Sequence, residues 1–458
     1  MIHNIKKAAA GAVALIAAMG AMAQDNQSGY FVEDYTYRFL MNPAMENSRS
    51  FFAIPAIGNV NVEMRGNLSL KDVIYNVNGK TTTLINPNIS AAEVMGNLSD
   101  MNKTGVDLRV NILSAGFKAF GGYNTVNISA RADVNTRIPK SLVSFVKEGV
   151  TNKTYDISGF GANAIGYGEI SLGHSRKIND QLRVGANLKF LVGIAGIDAE
   201  MTRAEVELGR DSWNVTSNAR INASIKGMHY KMTTNSHTGL EYVEGLDGDF
   251  SAPNGFGMAV DLGAVYSPKM LQDWQFSASV LDLGFINWSN DLLASTNGDK
   301  TFQSQIYNFN ADSDADNSFS KEWKKMRNSL ESLYQLDSDG NVGSRTQALH
   351  ATLNLGARYT FPLYRKLNFG LLNTTRIAGK YTWTDFRLSA NVAPCRVFSA
   401  AVSGSVGTYG GSFGWLVNLH CPGFNLFFAQ DNMFTKIAKQ GVPLSSNASA
   451  SVGMNILL

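Results

Sequence analysis

Two groups of aspartates in the C-terminal half of the sequence resemble the beginning of a calcium-binding loop. One group begins at Asp312 and the other at Asp337. A complete loop of this type needs a bidentate glutamate at its twelfth position. The twelfth residues are Trp323 and Ala348. Neither group therefore completes a calcium site, and both are interpreted as solvated loop carboxylates.

Other residues whose types could take part in catalysis or ligand binding form no complete motif. The spacing Gly159-x-Gly161-x-x-Ala164 resembles a dinucleotide fingerprint, but no helix is expected after it, so we assign it to close packing within a strand. The histidines show no metal-ligand spacing, and no nucleophile elbow of the form G-x-S-x-G occurs. The sequence therefore predicts a protein that is not an enzyme and has no cofactor and no metal site.

The two cysteines suggest a covalent link. Cys395 and Cys421 lie at equal distances from Thr408, which falls in a glycine-rich turn. In an antiparallel hairpin centred on Thr408 they would be directly opposed, close enough for a disulfide. We expect a disulfide between them, with two free thiols in neighbouring turns as the alternative.

Composition restricts the class of protein. The chain has 458 residues, of which 44% are hydrophobic and only 17% charged, and its formal net charge is +3. This content excludes a disordered chain, and the small net charge argues against a nucleic-acid partner. The length allows several soluble domains or one large barrel.

The N-terminus has the features of a secretory signal peptide at residues 1–23. Lys6 and Lys7 precede a short apolar run, and Ala21-Met22-Ala23 forms a cleavage site. The apolar run is shorter than the roughly 20 residues of a membrane-spanning helix. We therefore expect an exported protein rather than one held by an N-terminal anchor.

Strict alternation of apolar and polar residues organises the rest of the chain. It is clear at residues 59–65, 106–112, 125–135 and 451–458. A period of two gives each strand one apolar and one polar face. The segments are about 9–12 residues long, which suffices for a tilted strand to cross a bilayer. The pattern predicts an all-β transmembrane antiparallel barrel in contact with outer-membrane lipid; a large secreted β-sandwich or β-solenoid is the alternative.

The spacing of turns predicts the strand number and orientation. We expect 14 strands, or 16 if residues 201–208 and 213–225 enter the wall. Three similar hairpins begin at Leu172-Gly173, Leu262-Gly263 and Leu355-Gly356, each followed by a short turn. Short turns are typical of the periplasmic side, so the insertions 197–254 and 287–347 should be long extracellular loops. Helices are expected at residues 139–148 and 321–334, either capping the outer rim or lining a ligand entrance.

The segment Asn42-Pro43-Ala44, ahead of the first strand, resembles the FadL-like group of outer-membrane proteins. The chain looks similar to an uncharacterised Bacteroidota family distantly related to the PorV type. This resemblance implies a luminal plug at residues 24–56, to which Asn42, Pro43 and Ala44 would belong, and a barrel at residues 57–458. The chain ends in Leu458, where many such barrels end in an aromatic residue.

The leading functional hypothesis is a non-enzymatic barrel in the cell outer membrane that binds or transports small hydrophobic molecules. A transporter would need a gap in the wall, for which residues 159–168 are candidates, and an apolar luminal pocket. The alternative is an adaptor or scaffold that binds other surface or secreted proteins through its extracellular loops. An adhesin-like surface protein is a third hypothesis.

Overall fold

The computed structural model describes residues 26–458 except 54, 56–57, 69–71, 73, 78–79, 85, 87, 149–152, 209–212, 235–240, 297–298, 305–335 and 434–446. The expected signal peptide at residues 1–23, the expected helix at residues 321–334 and the aspartates that begin at Asp312 lie outside the described residues.

Fourteen antiparallel strands form the wall. The first, β1, consists of two segments, Phe51–Ala53 and Asn59–Gly66. The next six are β2 (Met101–Ala119), β3 (Gly122–Pro139), β4 (Gly161–Lys177), β5 (Leu182–Leu208), β6 (Gly255–Tyr266) and β7 (Trp274–Ser295). The remaining seven are β8 (Ala351–Thr360), β9 (Leu367–Ile377), β10 (Trp383–Cys395), β11 (Phe398–Gly407), β12 (Gly410–Cys421), β13 (Phe424–Gln430) and β14 (Ala448–Leu457).

The wall closes on itself. Strand β14 pairs with β1, with Val60 opposite Val452, and β1 pairs in turn with β2, with Asn61 opposite Arg109. Over the described residues the closed wall leaves no unpaired sheet edge, which a bilayer requires because lipid cannot satisfy backbone hydrogen bonds. The prediction of a 14-stranded barrel is confirmed. Residues 51–53, which we had expected in the plug, already pair within the wall.

Alternation along each strand separates a lipid face from a luminal face. On β4, Asn163, Glu169 and Ser171 are buried, whereas Ile170 and Leu172 are exposed. The same division recurs around the barrel, with exposed leucine, phenylalanine and valine outside and buried asparagine, serine and charged residues inside. The buried polar face is the lumen, and the exposed apolar face suits contact with acyl chains.

Turns at the two ends differ in length. At one end they cover residues 120–121, 178–181, 267–273, 361–366, 396–397 and 422–423. We call this the periplasmic end, because short turns lie on that side in barrels of this kind. The opposite, outer end carries the long connections.

Much of the two predicted outer loops is β-structure. Strands β5 and β7 continue to Leu208 and Ser295, past the end of β6. There they pair with Trp213–Ser224, while Asp337–Ala348 pairs with the outer half of β7. A separate hairpin joins Lys226–Thr234 to Glu241–Ser251. These strands extend the sheet beyond the 14-stranded wall and do not add to it, which excludes the 16-stranded count.

Smaller elements lie around the outer end. Strands Ile74–Val77 and Lys80–Thr83 form a hairpin, and Lys300–Ser304 pairs with the extension. Helix α1 spans Ala91–Gly96, with the Ser90 side chain accepting from the Glu93 N–H. Helix α2 spans Lys140–Glu148, which agrees with the helix expected at residues 139–148, and is followed by Thr154–Asp156. Short 3-10 turns occur at Gln27–Gly29, Thr36–Leu40 and Gly379–Tyr381.

None of the helices in the described part of the chain has the length and apolar character needed to span a bilayer.

Candidate functional site

The N-terminal segment, residues 26–50, lies against the inner face of the wall. Its backbone is held by Asp431, whose carboxylate accepts the N–H groups of Gln27 and Ser28, each at 2.6 Å. The Ser28 hydroxyl donates to the same carboxylate at 2.6 Å. Further along, the hydroxyls of Tyr30 and Ser277 are 3.0 Å apart. The segment is thus attached to the wall through buried side chains.

The structure explains why asparagine precedes proline in the tripeptide at residues 42–44. The Asn42 amide donates to the carbonyls of Ala264 and Ala278, both at 3.3 Å, on neighbouring strands β6 and β7. Its side-chain oxygen accepts the N–H of Ala44 at 2.9 Å. One side chain therefore fixes the turn and connects it to the wall. That the segment closes the lumen as a plug stays a prediction.

Inward-facing glycines make room for this segment. The segment occupies the space that a side chain would fill at five glycines of the wall, which are Gly185, Gly263, Gly356, Gly370 and Gly414. A Cβ atom at Gly370 would overlap the ring of Phe31, and one at Gly263 would overlap Asn42. Two of the three Leu-Gly pairs seen in the sequence thus place leucine toward lipid and glycine beneath the N-terminal segment.

A luminal charge network crosses the middle of the barrel. Arg131 on β3 lies 2.9 Å from Asp282 on β7 and 3.3 Å from Glu169 on β4. Lys189 on β5 lies 2.7 Å from Asp282 and 2.8 Å from Asp261 on β6. None of these side chains is more than 6% exposed. Burying an isolated charge costs a large desolvation free energy, and the pairing of these opposite charges offsets that cost.

A bulge in β7 places Asp282 in this network. Val260 and Leu262 on β6 pair with Leu283 and Val280, so β7 carries one extra residue here. Asp282 has φ of 58°, and its N–H donates to an Asp261 carboxylate oxygen at 2.8 Å. Both Leu281 and Asp282 are buried. The bulge redirects the side chain, as bulges in barrels often do.

A second charged group lies beside the first. Arg376 on β9 pairs with Asp133 on β3 and lies 3.3 Å from Asp107, while His350 is 3.5 Å from Asp133. Two cavities among these residues measure about 10 and 20 Å³, room for about one water each. Although only 17% of the chain is charged, residues far apart in sequence bring their charges together in this part of the lumen.

The outer half of the lumen has an apolar group, which we call the Trp288 cluster. It consists of Ile165, Tyr167, Leu191, Ala259, Ile286, Trp288 and Leu349. A Cβ atom at Gly193 or Gly196 of β5 would lie 2.6 or 2.8 Å from the Trp288 ring. Between these glycines Ile194 is an extra residue, because Gly166 pairs with Ala195 and Tyr167 with Gly193. The indole therefore packs behind a bulge between β4 and β5.

The periplasmic end holds two larger cavities beside the N-terminal segment, of about 320 and 690 Å³. Glu33 and Asp34 line both. Glu33 lies 2.5 Å from Arg358 of β8. Burial acts to raise the pKa of Glu33, but Arg358 and Arg38 outweigh it, so the pKa of this carboxyl lies below its ordinary value. The segment thus presents a charged turn to the periplasmic side.

The cysteines are free thiols in the structure. The hairpin of β11 and β12 is centred between Thr408 and Tyr409, with Gly407 opposite Gly410, so its register differs from the expected one. Cys395 pairs with Phe398 and Cys421 with Phe424, each across its own tight turn. The Cys395–Cys421 disulfide therefore stays a prediction for the oxidised protein.

Among the residues that the structure describes, no three histidine, cysteine or acidic side chains are placed to hold a metal ion.

Comparison with known proteins gives a family and several distant barrels. The model of a family of unknown function, DUF5723, matches residues 43–431. No curated protein matches the chain.

Among solved structures, the toluene transporter TbuX of Ralstonia pickettii is 9% identical, with 93% of each chain covered and a TM-score of 0.38. The toluene transporter TodX of P. putida is 8% identical, with 92% of each chain covered and a TM-score of 0.38. A FadL homologue of Pseudomonas aeruginosa is 9% identical, covering 96% of this chain and 98% of its own, with a TM-score of 0.37. Similarities this distant do not indicate what this chain binds.

Proposed function

The chain belongs to the DUF5723 family, whose function is unknown, and we propose that it is a non-enzymatic outer-membrane barrel that binds small hydrophobic molecules and passes them through its wall. The observation that carries this proposal is the Trp288 cluster. It is a buried apolar layer directly behind the β4–β5 bulge. The expected kinship with FadL-like and PorV-type proteins remains part of the proposal.

The bulge supports a lateral route. The extra residue Ile194 disturbs the ladder between two glycine-rich stretches, and its side chain is 37% exposed toward lipid. An apolar molecule entering at this point would meet the edge of the charge network, because the Arg131 guanidinium lies 5.6 Å from the ring centre of Tyr167. Desolvation of the ions makes passage through the network itself unfavourable. The N-terminal segment would keep the remaining lumen closed as a plug.

A reversible cross-link tests the route. In a background with Cys395 and Cys421 replaced by serine, Gly166→Cys and Ala195→Cys join opposed residues at the bulge. We expect the oxidised protein in lipid vesicles to lose uptake of the fluorescent apolar probe N-phenyl-1-naphthylamine, and to regain it with reductant. The same cross-link at Leu172 and Leu188, opposed residues farther along the same strands, is the matched control and should not affect uptake.

The lateral route would be disproved if vesicles with the oxidised bulge variant took up the probe as fast as vesicles with the unlinked protein. Absence of uptake by the unlinked protein, compared with protein-free vesicles, would disprove transport of such molecules altogether.

The second candidate function is that of an adaptor for other surface or secreted proteins. The observation that favours it is the sheet extension at the outer end, including the hairpin of Lys226–Thr234 and Glu241–Ser251. Phe250 and Val342 of this region are 56% and 47% exposed. Exposed apolar side chains on strands beyond the bilayer suit contact with a protein. A barrel that takes up no probe but retains a bound protein through purification would favour this function.

A further inference from the structure

A polar pocket lies at the outer mouth of the lumen, apart from the Trp288 cluster. It is lined by Arg137, Asn163, Asp198, Glu200, Lys380 and Tyr381, which come from the outer ends of β3, β4 and β5 and from the turn between β9 and β10. Its volume is about 170 Å³. Glu200 and Lys380 stand at its edge, with side chains 36% and 58% exposed. The pocket is therefore accessible from the outer side.

Two buried polar atoms of this pocket have no hydrogen-bond partner among the described residues. They are Nε of Arg137 and Oδ1 of Asn163. These residues are only 8% and 7% exposed. A buried donor or acceptor left without a partner is costly, and such groups in a native structure call for a partner from outside the chain. One donor and one acceptor without partners therefore belong to residues that line the pocket.

Because Gly161 has no side chain, it leaves space in the pocket beside Arg137 and Tyr381. A Cβ atom there would lie 3.1 Å from the Tyr381 hydroxyl, 3.2 Å from the Ala199 carbonyl and 3.8 Å from Arg137 Nε. Gly161 is on a regular strand, and no positive φ requires glycine at this position. The space, and not the backbone conformation, distinguishes glycine from alanine here.

The four charged side chains of the pocket compensate one another, and His350, which also lines the pocket, lies 3.5 Å from Asp133. Arg137 and Lys380 are matched by Asp198 and Glu200; Lys380 pairs with Glu200, and Arg137 lies 3.8 Å from it. Asn163 donates to Asp198 at 3.4 Å. Burial raises the pKa of Tyr381 to about 12, so its hydroxyl stays neutral. No excess charge is left for an ionic ligand, and what remains is one donor, one acceptor and an aromatic ring.

We propose that this pocket binds a small, neutral, hydroxyl-rich molecule of the saccharide class. A hydroxyl group donates and accepts at once, so it can satisfy both the Asn163 oxygen and the Arg137 N–H. The Arg137 guanidinium lies over one face of the Tyr381 ring, 5.6 Å from its centre, so the C–H groups of a sugar would pack against the opposite face. This site goes beyond the proposed passage of apolar molecules and does not depend on it.

Saturation-transfer NMR on the full chain tests the site. The protein is held in lauryldimethylamine oxide, a detergent without sugar, and titrated with methyl glycosides of glucose, galactose and mannose. We expect saturable transfer to the ring protons of at least one glycoside. Asn163→Leu should weaken binding about tenfold, as expected for one lost buried hydrogen bond. Gly161→Ala should weaken binding because the added methyl group occupies part of the pocket. Gly168→Ala, on the lipid side of the same strand, should bind as wild type, because the added atom would make only an ordinary contact of 3.9 Å with Val192 Cβ.

L-alanine and acetate, titrated in parallel, should show no saturable transfer. Binding of either one without any glycoside would overturn the saccharide assignment. Equal glycoside binding by wild type and Gly161→Ala would overturn the placement of the site. Absence of saturable binding by wild type would mean that the pocket holds water only. Competition by lipopolysaccharide would identify outer-leaflet sugars as the source, and its absence would identify free sugars; both support the site.

Discussion

At the scale of single residues, Asp282 is the side chain on which the luminal charge network depends most. It contacts both cations, Arg131 at 2.9 Å and Lys189 at 2.7 Å. Asp282→Asn keeps the volume but leaves two buried cations with less compensation. We expect a loss of about 3 kcal/mol in the free energy of unfolding, the lower end for a broken buried pair, because Glu169 and Asp261 remain.

Urea unfolding of the refolded barrel, followed by tryptophan fluorescence, measures this loss. Asp180→Asn is the control, since its pair with Lys177 lies in a periplasmic turn with the Asp180 side chain 82% exposed. Exposed pairs contribute about 0–1 kcal/mol. Equal unfolding midpoints for Asp282→Asn and wild type would show that the network does not stabilise the barrel.

At the scale of elements, the fit between the N-terminal segment and the wall depends on wall glycines, because these positions have no side chain that would overlap the segment. Gly370→Ala puts a methyl group where the Phe31 ring lies. We expect this overpacking to lower the free energy of unfolding by about 1–3 kcal/mol. Gly404→Ala, on β11 with nothing within 4 Å of the added atom, should have no measurable effect.

The Phe31→Ala background separates this contact from a general effect on β9. With the ring removed, the added methyl group has space, so Gly370→Ala should cost little more there. A cost of the same size in both backgrounds would mean that the N-terminal segment is not the element that requires glycine.

At the scale of the whole molecule, the sequence predicts the barrel well because alternation is a local property. The polar and apolar faces of β2, β3 and β14 could be assigned from neighbouring residues alone. The Leu-Gly pairs are visible in the sequence as a repeat. Glycine is required at Gly263 and Gly356 because the N-terminal segment packs there, and that segment is distant from both in sequence.

The charge network and the bulges could not be predicted in the same way. Arg131, Glu169, Lys189, Asp261 and Asp282 lie on five different strands, and their meeting depends on register. One extra residue at a bulge shifts every later side chain to the other face, and nothing local at Ile194 or Asp282 marks it. The sequence does contain one indication of the network. Charged residues in the middle of predicted membrane strands must face the lumen and pair there, because an unpaired buried charge is strongly unfavourable.

The final prediction concerns the closure of the barrel. A 14-stranded wall encloses a lumen too wide for its own side chains to fill. The N-terminal segment lies against the inner face of the wall, and the pairs Arg131–Asp282 and Arg376–Asp107 bridge non-adjacent strands across the lumen. In planar bilayers we expect the intact protein to show no conductance steps. A variant without residues 26–49 should conduct, and Arg376→Ala added to that deletion should raise the conductance further, because it removes a bridge across the remaining opening. If the intact protein conducts as much as the deletion variant, the N-terminal segment does not close the lumen.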